Sequence, residues 1–287
     1  MNRLHVLLDS IKFEHSIFAL PFAYIGMVLA ARGFPSWEKI IWITVAMVGA
    51  RTLAMAANRL VDAHYDALNP RTASRAIPRG LLSRSEMAAL AAVGLVVMLF
   101  SAWMLNPLCL ELSPIAIAVL VGYSFTKRFT WMSHAVLGFA DGMAPAGGWI
   151  AVTGSVDPPT IVLGMAVLFW IGGFDVIYAC QDVEFDRQVR LHSVPARFGV
   201  TAALWVSAAC HLLTVALLAA IGVMLGLGFL YWAGLVVAAG LLVYEHLLVQ
   251  PDDFSKLGVA FFNINSYVAI VIFVFTVAGL YVKGDRF

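Results

Sequence analysis

Nine long apolar runs follow one another along the chain, and they limit the possible folds more than any other feature. A membrane-spanning helix needs roughly 20 mostly apolar residues. The predicted spans are residues 14–31, 40–57, 86–105, 108–126, 134–152, 160–181, 202–226, 229–249 and 259–281. Charged residues make up only 12% of the 287, about half the ~25% of a soluble domain. The sequence therefore predicts an all-α membrane protein with nine transmembrane helices, residues 1–287 forming a single membrane domain.

Lysine and arginine are distributed unevenly between the two sides of this predicted topology. If the N-terminus lies in the cytoplasm, the cytoplasmic segments carry thirteen of them: Arg3, Lys12, Arg59, Arg71, Arg75, Arg79, Arg84, Lys127, Arg128, Arg187, Arg190, Arg197 and Lys256. The other side carries four, Arg32, Lys39, Lys283 and Arg286, and Arg51 stays inside the second span. Short cytoplasmic loops are enriched in these residues. We therefore predict a multi-pass protein of the cytoplasmic (inner) membrane with a cytoplasmic N-terminus. The net charge of +1 gives no footprint for nucleic acid.

Acidic residues stand at helical spacing where two of the spans end. Asn58, Asp62 and Asp66 follow the second span at i, i+4 and i+8, which places them on one helix face over about 12 Å. Asp182 and Asp186 follow the sixth span at i, i+4, with Asp175 one heptad earlier on the same face. We call these two groups the first and the second ladder. Like charges at i, i+4 destabilise a helix, so the ladders need compensating cations.

Two kinds of cation can compensate the ladders. Mg²⁺ takes oxygen ligands and is typically bound by one or two carboxylates together with substrate phosphates. The ladders are therefore candidate Mg²⁺ sites for a diphosphate substrate, with Asp62, Asp66, Asp182 and Asp186 as the ligands. The other interpretation is a solvated helix end in which each Asp pairs with a nearby Arg. Two ladders, both at cytoplasmic ends and both followed by basic loops, favour the metal.

Basic residues follow each ladder closely. Arg71 and Arg75 come after the first ladder, and Arg187 and Arg197 after the second. Tyr123 and Lys127 end the fourth span at i, i+4. Arg and Lys at such a site can neutralise charge that develops on a leaving diphosphate. We assign the remaining loop arginines Arg79, Arg84 and Arg190 to the positive-inside bias and to contact with lipid head groups.

These elements together resemble the motifs of the UbiA superfamily of intramembrane aromatic prenyltransferases. The first family motif, Asn-x-x-x-Asp-x-x-x-Asp, is present as Asn58, Asp62 and Asp66, and it is followed by Arg71-Thr72-x-x-Arg75. The Tyr-x-x-x-Lys element is Tyr123 and Lys127, and the second motif, Asp-x-x-x-Asp, is Asp182 and Asp186 after Tyr178-Ala179-Cys180-Gln181. The first motif departs from several relatives by reading Asn58-Arg59 instead of Asn-Asp.

The resemblance implies nine helices around a central cavity, which is capped on the cytoplasmic side and open sideways to membrane lipid. It also implies Mg²⁺-dependent transfer from a polyprenyl diphosphate to a small aromatic acceptor. The implied catalytic residues are Asn58, Asp62, Asp66, Asp182 and Asp186, and the implied substrate-binding residues are Arg71, Arg75, Tyr123, Lys127, Asp175 and Tyr178. Asp175 or Asp182 would remove the ring proton. Lys12 is one candidate for the acceptor's carboxylate, although a snorkelling lysine is the commoner use of that position.

Two alternatives remain open at this stage. The pattern is most similar to the bacterial branch that prenylates 4-hydroxybenzoate in quinone biosynthesis, but some of that branch resembles enzymes that prenylate a dihydroxynaphthoate for menaquinone. A transporter is the rival from another class. Transporter sites lie near the bilayer midplane between inverted repeats, whereas the two ladders here have the same membrane orientation, so the sequence disfavours transport.

Overall fold

The structure is a computed structural model that describes residues 3–11 and 16–282. Within these residues the chain is almost entirely helical. The α-helices are α1 Arg3–Ser10, α2 Ser16–Ala31, α3 Trp37–Leu68, α4 Arg84–Leu105, α5 Pro107–Thr126, α6 Ser133–Thr153, α7 Pro158–Ala179, α8 Val183–Gln188, α9 Val194–Phe198, α10 Val200–Met224, α11 Phe229–Leu248 and α12 Asn265–Val282. A 3₁₀ turn, Cys180–Asp182, follows α7, and a π-helical segment, Val259–Ile264, precedes α12.

The predicted fold class is confirmed, and the predicted count of nine spans is approximate. Eight helices in the described part of the chain are long and apolar enough to cross a membrane. The first predicted span corresponds to α2, whose apolar stretch Leu20–Ala31 is shorter than the others. Pro21 lies inside α2, where it removes a backbone hydrogen bond from the helix.

Turn residues set several helix ends where the sequence predicts them. Asn106 caps the C-terminus of α4, and Pro107 begins α5 directly after it. Asp157 caps α7, with Pro158 as its first residue. Proline is favoured at a first helical position because its missing N–H has no partner there in any case.

The chain divides into two compact units. The first consists of Met1–Leu20 and Ser36–Phe125, and its main packing is between α3 and α4. The two helices come close at a pair of glycines: a Cβ atom on Gly49 would lie 2.9 Å from the Gly94 carbonyl oxygen. Small residues at such a crossing allow backbones to approach in a membrane, where dispersion contacts between helices replace the hydrophobic effect.

The second unit consists of Pro21–Pro35 and Thr126–Phe287. In it α7 packs against both α6 and α10, and α11 packs against α12. Trp170, on α7, is buried in the core of this unit and makes an edge-to-face contact with Phe22 at 4.6 Å between ring centroids. Its indole Nε1 donates to Asn265 Oδ1 at 2.6 Å, so the polar atom of a buried tryptophan has a partner.

Helix α3 is unusually long for a membrane span. Its 32 residues extend about 48 Å at 1.5 Å per residue, whereas the hydrocarbon core of a bilayer is about 30 Å thick. The first ladder occupies the last third of this helix. The length of α3 therefore allows its ladder to reach beyond the hydrocarbon region.

Candidate active site

The first ladder forms a row along one face of α3, and its first two residues are joined by a hydrogen bond. The Asn58 amide nitrogen Nδ2 donates to Asp62 Oδ2 at 2.7 Å and, more weakly, to Ser124 Oγ at 3.4 Å. Asp66, one turn farther on, is only 6% exposed. The spacing predicted this row, but it gave no indication of Ser124, which lies 66 residues away on α5.

The loop after the first ladder folds back onto it. Arg75 donates through NH1 to Asp66 Oδ1 at 2.6 Å. The Thr72 hydroxyl donates to the Asp66 backbone carbonyl at 3.1 Å, which satisfies one of the carbonyls left without a partner at a helix end. Arg71 is exposed. The motif Arg71-Thr72-x-x-Arg75 therefore shapes the end of the ladder as well as supplying positive charge.

Arg59 stands where the family resemblance implies an aspartate in several relatives, and its contacts are specific. Its side chain is buried, 8% exposed, and its Nε donates to the Ser10 carbonyl of α1 at 3.0 Å. Its NH1 donates to Asn58 Oδ1 at 3.2 Å, which turns the Asn58 amide nitrogen towards Asp62. The guanidinium also lies within electrostatic range of Asp62 and Tyr123. Arg59 therefore orients the ladder and supplies it with a fixed positive charge.

The second ladder does not lie on one continuous α-helix, contrary to the sequence prediction. The 3₁₀ turn Cys180–Asp182 separates α7 from α8. A 3₁₀ turn winds at 3.0 residues per turn instead of 3.6, so three residues change the register by about 60°. Asp175 pairs with His134 of α6, and Asp186, 11 residues farther along the chain, pairs with Lys127.

The pair between Lys127 and Asp186 joins two predicted site residues. Lys127 Nζ lies 3.5 Å from Asp186 Oδ2, and the Asp186 side chain is 2% exposed. The Lys127 carbonyl accepts a hydrogen bond from the backbone N–H of His192 at 2.7 Å. Asp182, between Asp175 and Asp186 in sequence, is also buried. Tyr178 packs its ring against Phe262 at 6.4 Å between centroids.

Two of the loop arginines shape the second basic loop, residues 187–199. Arg187 Nε donates to the Ala196 carbonyl across this loop at 3.0 Å. The Arg197 guanidinium lies over the Trp131 ring at 5.9 Å from its centroid. The loop is therefore an ordered segment with specific contacts, and these arginines contribute structure to it as well as charge.

Sequence reasoning missed two further polar residues. His134 contacts Asp175 through one ring nitrogen and the backbone of Val194 through the other. Neither partner is near it in sequence, so only its position at the start of a span marks it as unusual.

Arg51 precedes Asn58 by seven residues and so lies on the same face of α3. Its Nε is buried without a hydrogen-bond partner among the described residues. Lys12 lies outside the described residues.

The carboxylates fit Mg²⁺ chemically. Asp66 Oδ2 and Asp186 Oδ2 are both buried and have no hydrogen-bond partner within the described chain, although Asp186 Oδ2 forms the 3.5 Å ion pair with Lys127. A buried carboxylate oxygen without a partner is costly, and a hard cation that takes oxygen ligands removes that cost. The described residues contain no group of three or more His, Cys, Asp or Glu that could hold a metal. Asn58, water and substrate phosphates would therefore have to complete the coordination.

The sequence and the structure were compared with known proteins, and the matches agree with the two ladders described above. Residues 19–267 match the model of the UbiA prenyltransferase family. The chain belongs to this family. A UbiA homolog from Aeropyrum pernix K1, solved in its apo form, is 34% identical, with a TM-score of 0.83 over 92% of this chain and 98% of that one. The predicted resemblance is therefore confirmed.

Curated relatives match over a shorter region. The 4-hydroxybenzoate octaprenyltransferase of Aliivibrio fischeri is 31% identical over 174 residues, 61% of this chain and 61% of the relative. The 4-hydroxybenzoate solanesyltransferase of Synechocystis is 33% identical over 174 residues, 61% of this chain and 60% of the relative. The match thus spans about three fifths of these relatives. A UbiA homolog from Archaeoglobus fulgidus bound to GPP and Mg²⁺ shares the fold at 19% identity, with a TM-score of 0.68 over 93% of this chain and 99% of that one.

Proposed function

We propose that this protein transfers a polyprenyl group from a polyprenyl diphosphate to a small aromatic acceptor, and that the acceptor is 4-hydroxybenzoate. The observation that carries the proposal is the state of the last aspartate in each ladder. Each is buried and paired with a cation. Asp66 keeps Oδ2 without a hydrogen-bond partner in the described chain, and Asp186 Oδ2 has no hydrogen bond there beyond its 3.5 Å ion pair with Lys127. The names of the curated relatives and the GPP and Mg²⁺ of the Archaeoglobus homolog support the same chemistry.

Asp62 and Asp66 in the first unit, and Asp182 and Asp186 in the second, are the proposed metal ligands. Bound Mg²⁺ supplies Lewis-acid stabilisation of negative charge on phosphate oxygens. Arg75 and Lys127, which already contact Asp66 and Asp186, neutralise part of the charge that leaves with the diphosphate. Each cation thus acts beside a proposed metal ligand.

The bond changes follow from the donor and the acceptor. The allylic C–O bond breaks, and its electron pair leaves with the diphosphate. A ring carbon of the acceptor bonds to the allylic carbon, and the ring then loses a proton to a carboxylate, for which we propose Asp175. The allylic cation would react with water, so the apolar helices protect it by keeping water out.

Arg51 is the proposed partner of the acceptor's carboxylate. It lies about 10 Å from Asn58 along α3, because seven residues rise 1.5 Å each. A cation at membrane depth is costly without an anionic partner. A guanidinium matches a planar carboxylate through two parallel hydrogen bonds, and the Arg51 Nε is buried without a partner among the described residues.

The first test is product analysis by mass spectrometry. Purified protein given Mg²⁺, one prenyl diphosphate and equal amounts of 4-hydroxybenzoate and a dihydroxynaphthoate should form mainly prenylated hydroxybenzoate. Arg51→Gln should raise the apparent KM for hydroxybenzoate at least about tenfold, since a hydrogen bond to a charged group contributes about 1.5–3 kcal/mol. Its KM for the prenyl diphosphate should stay near the parent's. Preferential prenylation of the naphthoate would reassign the acceptor, and an absence of any prenylated product would refute the proposal.

We also propose the orientation in which the N-terminus and both ladders face the cytoplasm, as the distribution of lysine and arginine predicts. Reporter fusions at Arg3 and after Val282 should report cytoplasmic and opposite-side locations, respectively. Two reporters on the same side of the membrane would mean that the number of crossings is even, and the nine-span topology would then be wrong.

A further inference from the structure

His134 lies at the start of α6 and is almost completely buried, at 2% exposure. Both of its ring nitrogens have partners. Nδ1 lies 2.6 Å from Asp175 Oδ2 on α7. Nε2 lies 3.2 Å from the backbone nitrogen of Val194. One imidazole therefore joins a carboxylate on a membrane helix to the backbone of the second basic loop.

The contact with Val194 determines which nitrogen carries the proton. A backbone N–H can only donate, so His134 Nε2 must accept and cannot carry a hydrogen. A neutral imidazole has one donor and one acceptor nitrogen. The proton therefore lies on Nδ1, which donates it to Asp175. In this arrangement Asp175 Oδ2 is the acceptor.

The N–H of Val194 is available to His134 because of where it stands in the loop. Val194 is the first residue of α9, and the first N–H groups of a helix have no partner within the helix. The Ser193 hydroxyl accepts from the Ala196 N–H, and Pro195 has no N–H to satisfy. The N–H of Val194 therefore has no acceptor within this first turn, and it donates to His134 Nε2.

We propose that His134 is the positioning residue of Asp175. It holds Asp175 Oδ2 in a hydrogen bond and leaves Oδ1 as the oxygen that receives the ring proton. Through Val194 it also ties Asp175 to the loop that begins at Arg187. The inference rests on the proposed function, because Asp175 acts as the base only if the ring of an acceptor is prenylated.

Two substitutions separate the two contacts. In His134→Asn the amide nitrogen can take the place of Nδ1 and still donate to Asp175, but the side chain is too short to reach Val194. In His134→Gln the amide oxygen can take the place of Nε2 and accept from Val194, but the donor to Asp175 is lost. Each variant retains one of the two hydrogen bonds of a buried side chain, so the two should be destabilised to a similar extent.

The two variants should differ in kinetics. His134→Gln should lower kcat about 10- to 100-fold, because a general base contributes about 10²–10⁴-fold and Asp175 would remain present but less well oriented. His134→Asn should keep kcat within about threefold and instead raise the apparent KM for the prenyl diphosphate, since the loop is less firmly held. Equal losses of kcat in both variants would show a merely structural role and would overturn the proposal.

A double-mutant cycle tests whether His134 acts through Asp175. The double variant His134→Gln, Asp175→Asn should be no slower than Asp175→Asn alone, because residues that act as a unit are not additive. Multiplicative losses in kcat would contradict the inference. The mass-spectrometric product analysis of the unsubstituted protein tests the proposed function separately.

A spectroscopic measurement needs no activity at all. In ¹⁵N-histidine-labelled protein in lipid nanodiscs, the His134 signals, assigned by their loss in His134→Gln, should show a protonated Nδ1 and an unprotonated Nε2. A proton on Nε2 would refute the arrangement, whether or not the protein forms a prenylated product.

Discussion

Asp186→Asn should lower turnover at least about a thousandfold, while the protein still inserts into the membrane and folds. The substitution keeps the volume of a side chain that is only 2% exposed, but it removes the negative charge that a metal ligand needs. A bound metal contributes several kcal/mol to stabilising the transition state, and each 1.36 kcal/mol changes a rate tenfold. Asp62→Asn should behave similarly, and chelation of divalent cations should abolish turnover of the parent.

Glu184→Gln is the matched control for Asp186→Asn. Glu184 is an exposed acid in the same short helix α8, and its substitution should leave turnover within about twofold of the parent's. Initial rates over a range of Mg²⁺ concentrations measure both effects. Full activity of Asp186→Asn at ordinary Mg²⁺ would remove Asp186 from the metal site.

Lys127→Ala should lower turnover about 100- to 1000-fold, the loss typical of removing one group that stabilises developing negative charge. Lys127 lies 3.5 Å from Asp186 Oδ2, so it has two possible roles, which Mg²⁺ separates. If Lys127 only neutralises Asp186, a higher Mg²⁺ concentration should restore turnover. If it neutralises the leaving diphosphate, as we propose, saturating Mg²⁺ should leave the variant slow.

The structure also identifies a suitable control for Lys127. Arg84, which the sequence assigns to the positive-inside background, donates to the Leu60 carbonyl on α3 at 3.3 Å, so its substitution affects the helix of the first ladder. Arg190 is exposed in the second basic loop and has a φ angle of 58°, which asparagine tolerates better than most residues. Arg190→Asn removes one loop cation without backbone strain and should keep most of the activity. A loss comparable to that of Lys127→Ala would show that loop charge in general is required.

Local patterns in the sequence predicted most of the helices and one of the two ladders well. Apolar runs of about 20 residues are set by the thickness of the bilayer, and the i, i+4 spacing of Asn58 and Asp62 produced the contact that it predicts. The same rule is less accurate for the second ladder, because it assumes a continuous α-helix and a 3₁₀ turn separates Asp175 from Asp186. Nothing in Cys180-Gln181-Asp182 indicates by composition that this segment tightens into a 3₁₀ turn.

Long-range partners could not be predicted from one sequence. His134 and Asp175 are 41 residues apart, and Arg59 donates to a backbone carbonyl 49 residues away. Backbone groups are the same in every residue, so the sequence carries no sign of which carbonyl or N–H a side chain will use. Asp66 and Asp186 each combine an ion pair with a cation and a carboxylate oxygen that accepts no hydrogen bond in the described chain. The two interpretations of the ladders are therefore compatible.

The length of α3 has a consequence for how a lipid-like donor is recognised. Asp62 stands 25 residues after Trp37, where α3 begins, or about 37 Å along the helix axis, a length that exceeds a hydrocarbon layer of about 30 Å. A prenyl diphosphate is an amphiphile whose charged head stays at the leaflet surface while its chain dissolves among the acyl tails. In the proposed orientation, the carboxylates would meet that head at the depth it already occupies. The proposed donor would therefore reach the protein by lateral diffusion, without first leaving its leaflet.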